Sequence, residues 1–236
     1  MIEIRIENLD VVRRAMEQAA DQVPYAASRA INAVAFQART GLQDEMRTRF
    51  DRPTPWLLRQ LRVKKSTKRD LSAIIGSPQS VKGGVGVLDK ILAPHIHGMR
   101  RVPKPVEQSL AAAGMLPSGW VAVPTSYAKL NQYGNLSRAN WRRIVAASRA
   151  GVKSRWFAAI PGAPATRHLR LGIYERYGGK RARKIRPIIL FYRAAEYQQM
   201  LSWEQTARQI IQGNFSAEFE SAFEQALASR RGNGNG

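Results

Sequence analysis

Basic charge is confined to the middle of this chain, and it separates a strongly cationic segment from two ends that look like ordinary helices. Between Arg52 and Arg193 there are 28 lysines and arginines but only four acids, which gives this segment a net charge of +24. The rest of the chain has 10 basic and 13 acidic residues, a net charge of −3. Charge confined in this way predicts a polyanionic partner and a face that meets it, whereas evenly spread charge would affect only solubility.

The composition permits a packed core. The chain has 236 residues, of which 44% are hydrophobic, enough for one large domain or two small ones. The absence of cysteine rules out disulfides and thiolate metal sites and fits a cytoplasmic product. The alternating start of the chain predicts no signal peptide, and the longest strongly apolar run, Ile188–Tyr192, is far shorter than a membrane span. We therefore expect a soluble protein.

The chain is predicted to begin with a strand and a short helix. Ile2, Ile4 and Ile6 alternate with charged residues, which is the period-2 pattern of a half-buried strand. A short helical stretch follows at residues 9–20.

A longer helix is predicted next. Pro24 can open it, because the first helical turn does not need the missing N–H. Apolar side chains then recur every three or four residues, at Ala27, Ile31, Val34, Ala38, Leu42, Met46 and Phe50. Asn32 and Gly41 interrupt this stripe, and we expect Gly41 to allow close packing. Pro53 and Pro55 end the helix.

The basic middle is predicted to consist of strands and loops. Four short runs are strand candidates: Leu71–Ser77, Val85–Leu92, Val121–Pro124 and Trp156–Ile160. Leu171–Arg176 and Ile185–Tyr192 flank a turn-prone segment and predict an antiparallel hairpin with a cationic tip. Pro187 suits the start or the edge of its strand. Pro105–Ala113 is a candidate helix that ends near Gly114.

The C-terminal segment is predicted to be an acidic, amphipathic helix. Ser202 and Gln205 have the spacing of a capping box. Apolar residues then continue at helical spacing, at Trp203, Ala207, Ile210, Ile211, Phe215, Phe219, Phe223 and Leu227. Gly213 and Asn214 mark a point where this helix could bend or split. The order of elements along the whole chain predicts an α+β domain with long loops inserted into its sheet.

Catalytic chemistry finds little support in the sequence. On a strand, His95 and His97 would share a face and could bind one metal, with Glu107 ten residues further on. Only His168 could join them, so we expect a loop with partly exposed histidines and no metal site. Metal-dependent nucleases need clustered carboxylates, and no nucleophile or phosphate-loop motif is present. We predict a protein that is not an enzyme and has no cofactor.

Three basic clusters in the middle segment are candidate DNA-facing or partner-facing sites. The loop cluster is Arg62, Lys64, Lys65, Lys68 and Arg69. The second, interleaved with Trp141 and Trp156, is Arg138, Arg142 and Arg143, followed by Arg149, Lys153 and Arg155. The hairpin cluster is Lys180, Arg181, Arg183, Lys184 and Arg186. Each cluster alone fits a solvated surface or a face for an acidic protein, but three together favour sequence-independent contact with phosphates.

A series of short motifs carries a resemblance to a known family. The motifs are Val23–Ala35, Thr54–Leu57, Leu61–Thr67, His97–Arg101, Leu116–Gly119, Leu130–Ser137, Gly172–Arg176 and Ile185–Pro187. Lys104 and Glu107 lie between the fourth and fifth, and Asn131 stands where an Asp is expected before Tyr-Gly-Asn. In this order the motifs resemble the minor tail protein Z family of tailed bacteriophages and prophages, the tail completion proteins.

The resemblance implies a structural virion protein of the neck or head-proximal tail end, needed for joining tails to filled heads. It is made in the host cytoplasm and assembled into the virion. Its fold would have long N-terminal and C-terminal helices packed on a mainly antiparallel sheet with long basic loop insertions. Here that is a single domain of residues 1–231, with the insertion at about residues 52–195 and a flexible tail at residues 232–236. The family brings no catalytic residue with it.

The resemblance also implies partners. These are other neck and tail proteins (the tail terminator, the tail tube and the connector) and further copies of this chain in an oligomeric ring. Phage tail architecture makes that ring a hexamer. Non-specific contact with genomic DNA is expected, and no contact with a membrane.

The main alternative is a standalone protein that binds nucleic acid without regard to sequence, such as a packaging or nucleoid factor. Such a protein would keep its basic surface exposed as a monomer or dimer. A neck protein would instead expose apolar patches near Leu57, Trp141 or the C-terminal aromatic residues, which neighbours in the virion cover.

Overall fold

The structure, a computed structural model, describes residues 20, 22–79, 82, 86–149, 151, 153–179 and 184–233. Within these ranges the helices are α1 (Val23–Arg49), α2 (Pro55–Arg59), α3 (Val87–His97), α4 (Pro105–Ala112), α5 (Arg138–Ser148) and α6 (Trp203–Asn233). The strands are β1 (Arg62–Lys64), β2 (Ile74–Gly76), β3 (Trp120–Pro124), β4 (Trp156–Ala159), β5 (Gly172–Tyr177) and β6 (Lys184–Arg193). Both sheets are antiparallel, so the predicted α+β class is confirmed. The predicted N-terminal strand and residues 9–19 lie outside the described residues.

The chain forms two compact units. One combines the residues up to Phe50, Pro55–Asp89 and the residues from Leu201 onward. The other combines Asp51–Thr54 and Lys90–Met200. The helical unit thus contains α1, α2, β1, β2 and α6, and the sheet unit contains the four-stranded sheet with α4 and α5.

Helix α1 forms where its apolar stripe predicts it. Pro24 stands in the first turn, and the predicted positions Val34, Ala38, Leu42 and Met46 are all buried. The helix runs without interruption through Asn32 and Gly41. Its main packing partner is α6, and it also contacts the small β1–β2 sheet.

Gly41 lets α1 and α6 approach closely, as the sequence predicts. A Cβ atom at this position would lie 2.3 Å from Cδ1 of Ile210. Gly213 has no such role, because a Cβ atom there would meet nothing within 4 Å. Helix α6 continues through Gly213 without a break and reaches Asn233, so it includes the first two residues of the predicted flexible tail.

The start of α6 is bound by a carboxylate from α1. In a capping box Gln205 would accept the N–H of Ser202, but that N–H donates to Oε1 of Glu45 at 2.5 Å. The hydroxyl of Thr206 donates to the other oxygen of Glu45 at 2.8 Å. The predicted capping box is therefore replaced by a long-range acceptor, whose negative charge is favoured at a helix N-terminus.

The larger sheet has the strand order β3-β6-β5-β4. Helices α4 and α5 contribute Leu110, Ile144 and Val145 to the core, where they join Ile173 and Ile189 of the sheet. Phe157, Ala159 and Tyr174 form a separate small cluster. The hairpin predicted from Leu171–Arg176 and Ile185–Tyr192 is confirmed as β5–β6.

The sequence predicts Pro187 at the start or the edge of its strand, and it is the fourth residue of β6. At this point β6 pairs with β5 through Tyr174, whereas its pairing with β3 begins at Ile189. The register passes from Ile173–Ile189 to Tyr174–Pro187, which leaves Ile188 as an extra residue. A β-bulge of this kind tolerates proline, since the ladder is already disrupted there.

The predicted strand at Val85–Leu92 is wrong, because α3 begins at Val87. Leu88 and Leu92 are both buried, and their spacing of four residues suits one face of a helix. The side chain of Asp89 accepts the N–H of Gly86 at 2.5 Å and the hydroxyl of Ser77 at 2.8 Å. A short apolar run fits strand and helix equally well, and these polar contacts are not visible in its pattern.

The predicted helix at Pro105–Ala113 is confirmed as α4. Gly114 follows it with φ of +68°. The N–H of Met115 donates back to the carbonyl of Leu110 at 2.9 Å, which closes the end of the helix.

The contrast between Gly41 and Gly213 gives a matched test of the helix pair. We expect Gly41→Leu to lower the free energy of unfolding by about 1–3 kcal/mol, because the new side chain overlaps Ile210. Gly213→Leu should raise it by up to about 1 kcal/mol, since leucine favours the helix and has open space there. Urea denaturation of both variants measures the difference, and equal effects would contradict the close approach at Gly41.

Candidate nucleic-acid interface

A buried carboxylate fixes the entry to α4. Glu107 is only 1% exposed and accepts two hydrogen bonds from the guanidinium of Arg101. It also accepts the backbone N–H groups of Lys104, at 2.7 Å, and Ala122, at 3.0 Å. Burial acts to raise the pKa of Glu107, but these donors outweigh it, so the pKa lies below its ordinary value. Both oxygens of Glu107 thus accept hydrogen bonds within the fold.

A second buried carboxylate joins two strands of the sheet. Glu175 on β5 is 4% exposed and accepts hydrogen bonds from Arg155 at 2.7 and 3.0 Å. Its other oxygen accepts from Arg186 on β6 at 2.7 and 2.9 Å. Burial acts to raise the pKa of Glu175, but the bonds from Arg186 and Arg155 outweigh it, so the pKa lies below its ordinary value.

All four acids of the basic middle are used in local structure. Glu107 and Glu175 bind arginines, and Asp89 accepts the backbone N–H of Gly86 at the start of α3. Asp70 accepts the hydroxyl of Ser72 at 2.6 Å. Arg101, Arg155 and Arg186 are therefore cations of the described residues that bind these acids.

The loop cluster lies on the surface of the protein. Its side chains Arg62, Lys64, Lys65, Lys68 and Arg69 are all exposed. Arg62 and Lys64 share one face of β1, with the half-buried Val63 between them. The loop that follows is anchored to α1 through Ser66, which is buried.

The second cluster lies on α5. Ser137 caps this helix by accepting the N–H of Asn140 at 3.2 Å. Arg138 and Arg142 are exposed and, together with Lys104 and Arg149, line a groove beside α4. Side chains of Val106, Leu136 and Trp141 form its apolar part. A groove lined by both cations and apolar side chains suits a polymer that carries phosphates and flat rings.

The two tryptophans of this cluster pack within the fold. Trp141 and Trp156 are both half-buried and contact the core of the sheet unit. The guanidinium carbons of Arg143 and Arg155 each lie 5.1 Å from the ring centroid of Trp156. Trp156 is thus already in contact with two cations, and Trp141 remains the candidate for stacking on a base.

The hairpin cluster is only partly described. Lys180, Arg181 and Arg183 lie outside the described residues, whereas Lys184 is exposed at the start of β6. Arg186 binds Glu175 and lies 4.9 Å from the ring centroid of Tyr177. Its guanidinium therefore has a structural role that the sequence analysis did not assign.

The predicted arrangement of His95 and His97 is wrong. Both lie at the end of α3 rather than on a strand or loop. Residues two apart in a helix lie on different sides of it, so the two imidazoles do not share a face. His95 is half-buried, and its ring lies 4.7 Å from that of Tyr197, edge to face. Burial lowers the pKa of His95.

Two cations that the charge count left out of the basic middle also belong to a basic surface. Arg29 and Arg39 lie on α1, close to the rings of Tyr25 and Phe36. The same two rings contact lysines of the loop cluster. The spacings of four and three residues between ring and arginine were the signal available in the sequence.

Among the described residues, no three side chains of the metal-binding types lie close enough to hold an ion. None of the helices in this part of the chain is long and apolar enough to cross a bilayer. The chain matches no family model, no curated protein and no solved structure.

The contacts of Glu175 predict a loss of stability on neutralisation. We expect Glu175→Gln to lower the free energy of unfolding by about 1–3 kcal/mol, because two arginines lose an anionic partner. Asp51→Asn is the control: Asp51 also binds an arginine, but it is fully exposed, and no measurable change is expected. Urea denaturation at neutral pH compares the two.

The lowered pKa of Glu175 predicts that the stability it provides depends on pH. A carboxyl whose pKa is lower in the folded state stabilises the fold above its ordinary pKa of 4.5 and loses that effect as pH falls through the folded value. The difference between the original chain and Glu175→Gln should therefore shrink below pH 4.5. A difference that stays constant well below this pH would contradict the role of the carboxylate.

Proposed function

We propose that this chain is a structural virion protein of a tailed bacteriophage or prophage. In this proposal it is a tail completion (minor tail) protein at the neck or head-proximal tail end, needed for head–tail joining. Its basic surface lies near the DNA channel. Its partners are the tail terminator, the tail tube, the connector and further copies of itself in a ring, with six copies proposed from phage tail architecture.

The motifs that carry the resemblance make contacts with one another in the fold. Asn32, from the Ala-Ile-Asn motif, accepts the N–H of Ser66 at 2.8 Å and donates to the carbonyl of Ser66 at 3.2 Å. Ser66 belongs to the motif Leu61–Thr67. Two separated motifs are thus joined by a pair of side-chain hydrogen bonds.

The later motifs behave in the same way. Arg101 from one motif binds Glu107, which follows it in the sequence. Glu175 and Arg186 come from the two strands of the hairpin and bind each other at 2.7 Å. The polar residues of these motifs thus form ion pairs that support the fold.

The motif around Asn131 is a turn. Its side-chain oxygen accepts the N–H groups of Tyr133 and Asn135, both at 3.0 Å. Gly134 has φ of +71°, which glycine adopts without strain. An aspartate would accept the same two hydrogen bonds, so the departure from the family pattern at Asn131 preserves the turn.

This internal use of the motif residues is the observation that carries the proposal. A set of polar residues that served catalysis would converge on a pocket, whereas these residues bind one another and hold loops and strands. The exposed groups are then chiefly cations, which suit a polyanionic surrounding. A protein that acts through assembly and contact with DNA fits both features.

A standalone nucleic-acid-binding protein is the second candidate. The exposed loop cluster and the α5 groove favour it, because they need no virion partner to be accessible. The two candidates differ in what happens to particles when the gene is removed.

Removal of the gene tests the proposal directly. In the phage that encodes this chain, we expect deletion to yield filled heads and separate tails, because the joining component is missing. Negative-stain electron microscopy of the lysate would show them, and the chain supplied from a plasmid should restore whole virions. Joined virions in the deletion strain would contradict the proposal and favour the standalone binder.

The Asn131 turn gives a test of the motif itself. We expect Asn131→Leu to lower the free energy of unfolding by about 1–3 kcal/mol, because two N–H groups lose their acceptor. Asn131→Asp should retain most of the stability, and Gln132→Leu is the neighbouring control on the same exposed turn. Equal stability of the Leu and Asp variants would show that the side chain does not hold the turn.

A further inference from the structure

A stripe of aromatic and basic residues runs along one side of α1. Tyr25, Arg29, Asn32, Phe36 and Arg39 follow one another at spacings of three or four residues. At about 3.6 residues per turn, such positions lie on one side of a helix. Phe36 is exposed, which is unusual for a phenylalanine in the middle of a long helix.

Helix α6 leaves this stripe uncovered. It contacts α1 at Gln37, Gly41 and Glu45, and the amide of Gln37 donates to the carboxylate of Glu218 at 2.7 Å. At about 100° per residue, these three positions lie on the side of α1 opposite the stripe. One side of the helix therefore packs against α6, and the other carries cations.

The loop cluster is fixed beside the stripe. The hydroxyl of Ser66 donates to the carbonyl of Ser28 at 3.0 Å, and its backbone binds Asn32 as described above. Ser66 is buried, while Lys65 and Lys68 on either side are exposed. The two lysines are thus held near α1 by hydrogen bonds.

The ring of Tyr25 contacts two cations, one on α1 and one in the loop cluster. The guanidinium carbon of Arg29 is 5.9 Å from the centroid of its ring. The ammonium of Lys68 is 4.9 Å from the same centroid. Both distances are within the range of cation–π attraction.

Phe36 repeats this arrangement further along the helix. The guanidinium carbon of Arg39 and the ammonium of Lys65 lie 5.7 and 5.5 Å from its ring centroid. The buried Nε of Arg39 has no hydrogen-bond acceptor among the described residues. The guanidinium of Arg39 packs against the ring of Phe36.

We propose that this surface, the α1 basic face (Arg29, Arg39, Lys65 and Lys68 around Tyr25 and Phe36), binds the phosphate backbone of double-stranded DNA. The inference rests on the proposed function and specifies where its DNA contact lies. Arg29 and Arg39 are ten residues apart, or about 15 Å along the helix. That length corresponds to about four base-pair steps of B-DNA, which present phosphates on both strands.

The chemistry of the face favours DNA over an acidic protein. Lysine is depleted in protein interfaces, whereas arginine and aromatic residues are enriched there. On the α1 basic face, two of the four cations are lysines, and cations lie against both aromatic rings. A phosphate backbone needs only well-placed cations, and the contacts carry no sequence information.

Salt dependence of DNA binding tests this assignment. The probe is a short, mixed-sequence DNA duplex with a fluorescent label, and anisotropy gives the binding constant at several salt concentrations. The test variant combines Arg29→Gln, Arg39→Gln, Lys65→Gln and Lys68→Gln. We expect the slope of log K against log salt to become shallower by about 0.9 for each lost contact, or about 3.6 if all four cations contact phosphates.

A second quadruple variant controls for net charge. It combines Arg59→Gln, Lys90→Gln, Lys129→Gln and Arg167→Gln, which are exposed cations that do not belong to the set defining the α1 basic face. Its change in net charge equals that of the test variant, so a general loss of attraction would affect both alike. We expect it to keep nearly the original slope.

Two further measurements keep the result interpretable. Thermal unfolding of the test variant establishes that it is folded. This is expected because glutamine favours the helix at positions 29 and 39, and because Arg29, Lys65 and Lys68 are exposed while Arg39 is half-buried. The variant Arg29→Lys with Arg39→Lys keeps the charges, and we expect it to keep the slope. A loss of slope in this variant would overturn a role based on phosphate charge.

The outcomes separate this inference from the proposed function. If the original chain binds DNA and the test variant keeps its slope, the α1 basic face is not the DNA contact, and the virion role is unaffected. If both quadruple variants lose slope equally, the effect is one of net charge and the assignment fails. If the original chain binds no DNA, the assignment fails together with the DNA contact of the proposed function, while the deletion phenotype still tests head–tail joining.

Discussion

Ion pairs with two buried carboxylates shape the cationic part of this molecule. Glu107 holds Arg101 and two backbone N–H groups beside α4, and Glu175 links Arg155 to Arg186 across the sheet. Such acids are scarce in a segment with a net charge of +24, and both are bound inside the fold. The positive field of this segment follows from its 28 lysines and arginines and only four acids.

Much of the fold could be predicted from periodicity. Helix α1 buries one face, and its apolar residues recur with the helical period. Strands β5 and β6 were found from their paired apolar runs, and the positions of all three elements agree with the prediction to within a few residues. Contacts between distant segments could not be predicted. Glu45 replaces Gln205 as the acceptor at the start of α6, and it is remote from α6 in sequence. The apolar run at Val85–Leu92 continues into a helix, although so short a run fits the strand pattern and the helix pattern equally well.

The candidate site was predicted from the number of charged residues in each segment. Some residues were wrongly assigned because such a count ignores contacts in three dimensions. A count treats Arg186 as a member of the hairpin cluster, although its guanidinium binds Glu175 and contacts tyrosine rings. It also treats α1 as part of a near-neutral end, although Arg29 and Arg39 lie on a strongly basic face with Lys65 and Lys68. Whether a cation is paired depends on packing in three dimensions. Local spacing can suggest a contact between a ring and an arginine, but it cannot show which loop lies alongside.

The two sides of α1 connect stability with the proposed role. Its packed side contacts α6 through a close approach at Gly41 and a carboxylate at Glu45, so the position of the opposite side is determined by the core. On that opposite side, Arg29 and Lys68 lie against the ring of Tyr25, and Arg39 and Lys65 lie against the ring of Phe36. In the proposed role, a phosphate backbone would bind this arrangement only in the folded chain, because folding brings α1 and the loop cluster together. By mass action such a ligand would stabilise the fold.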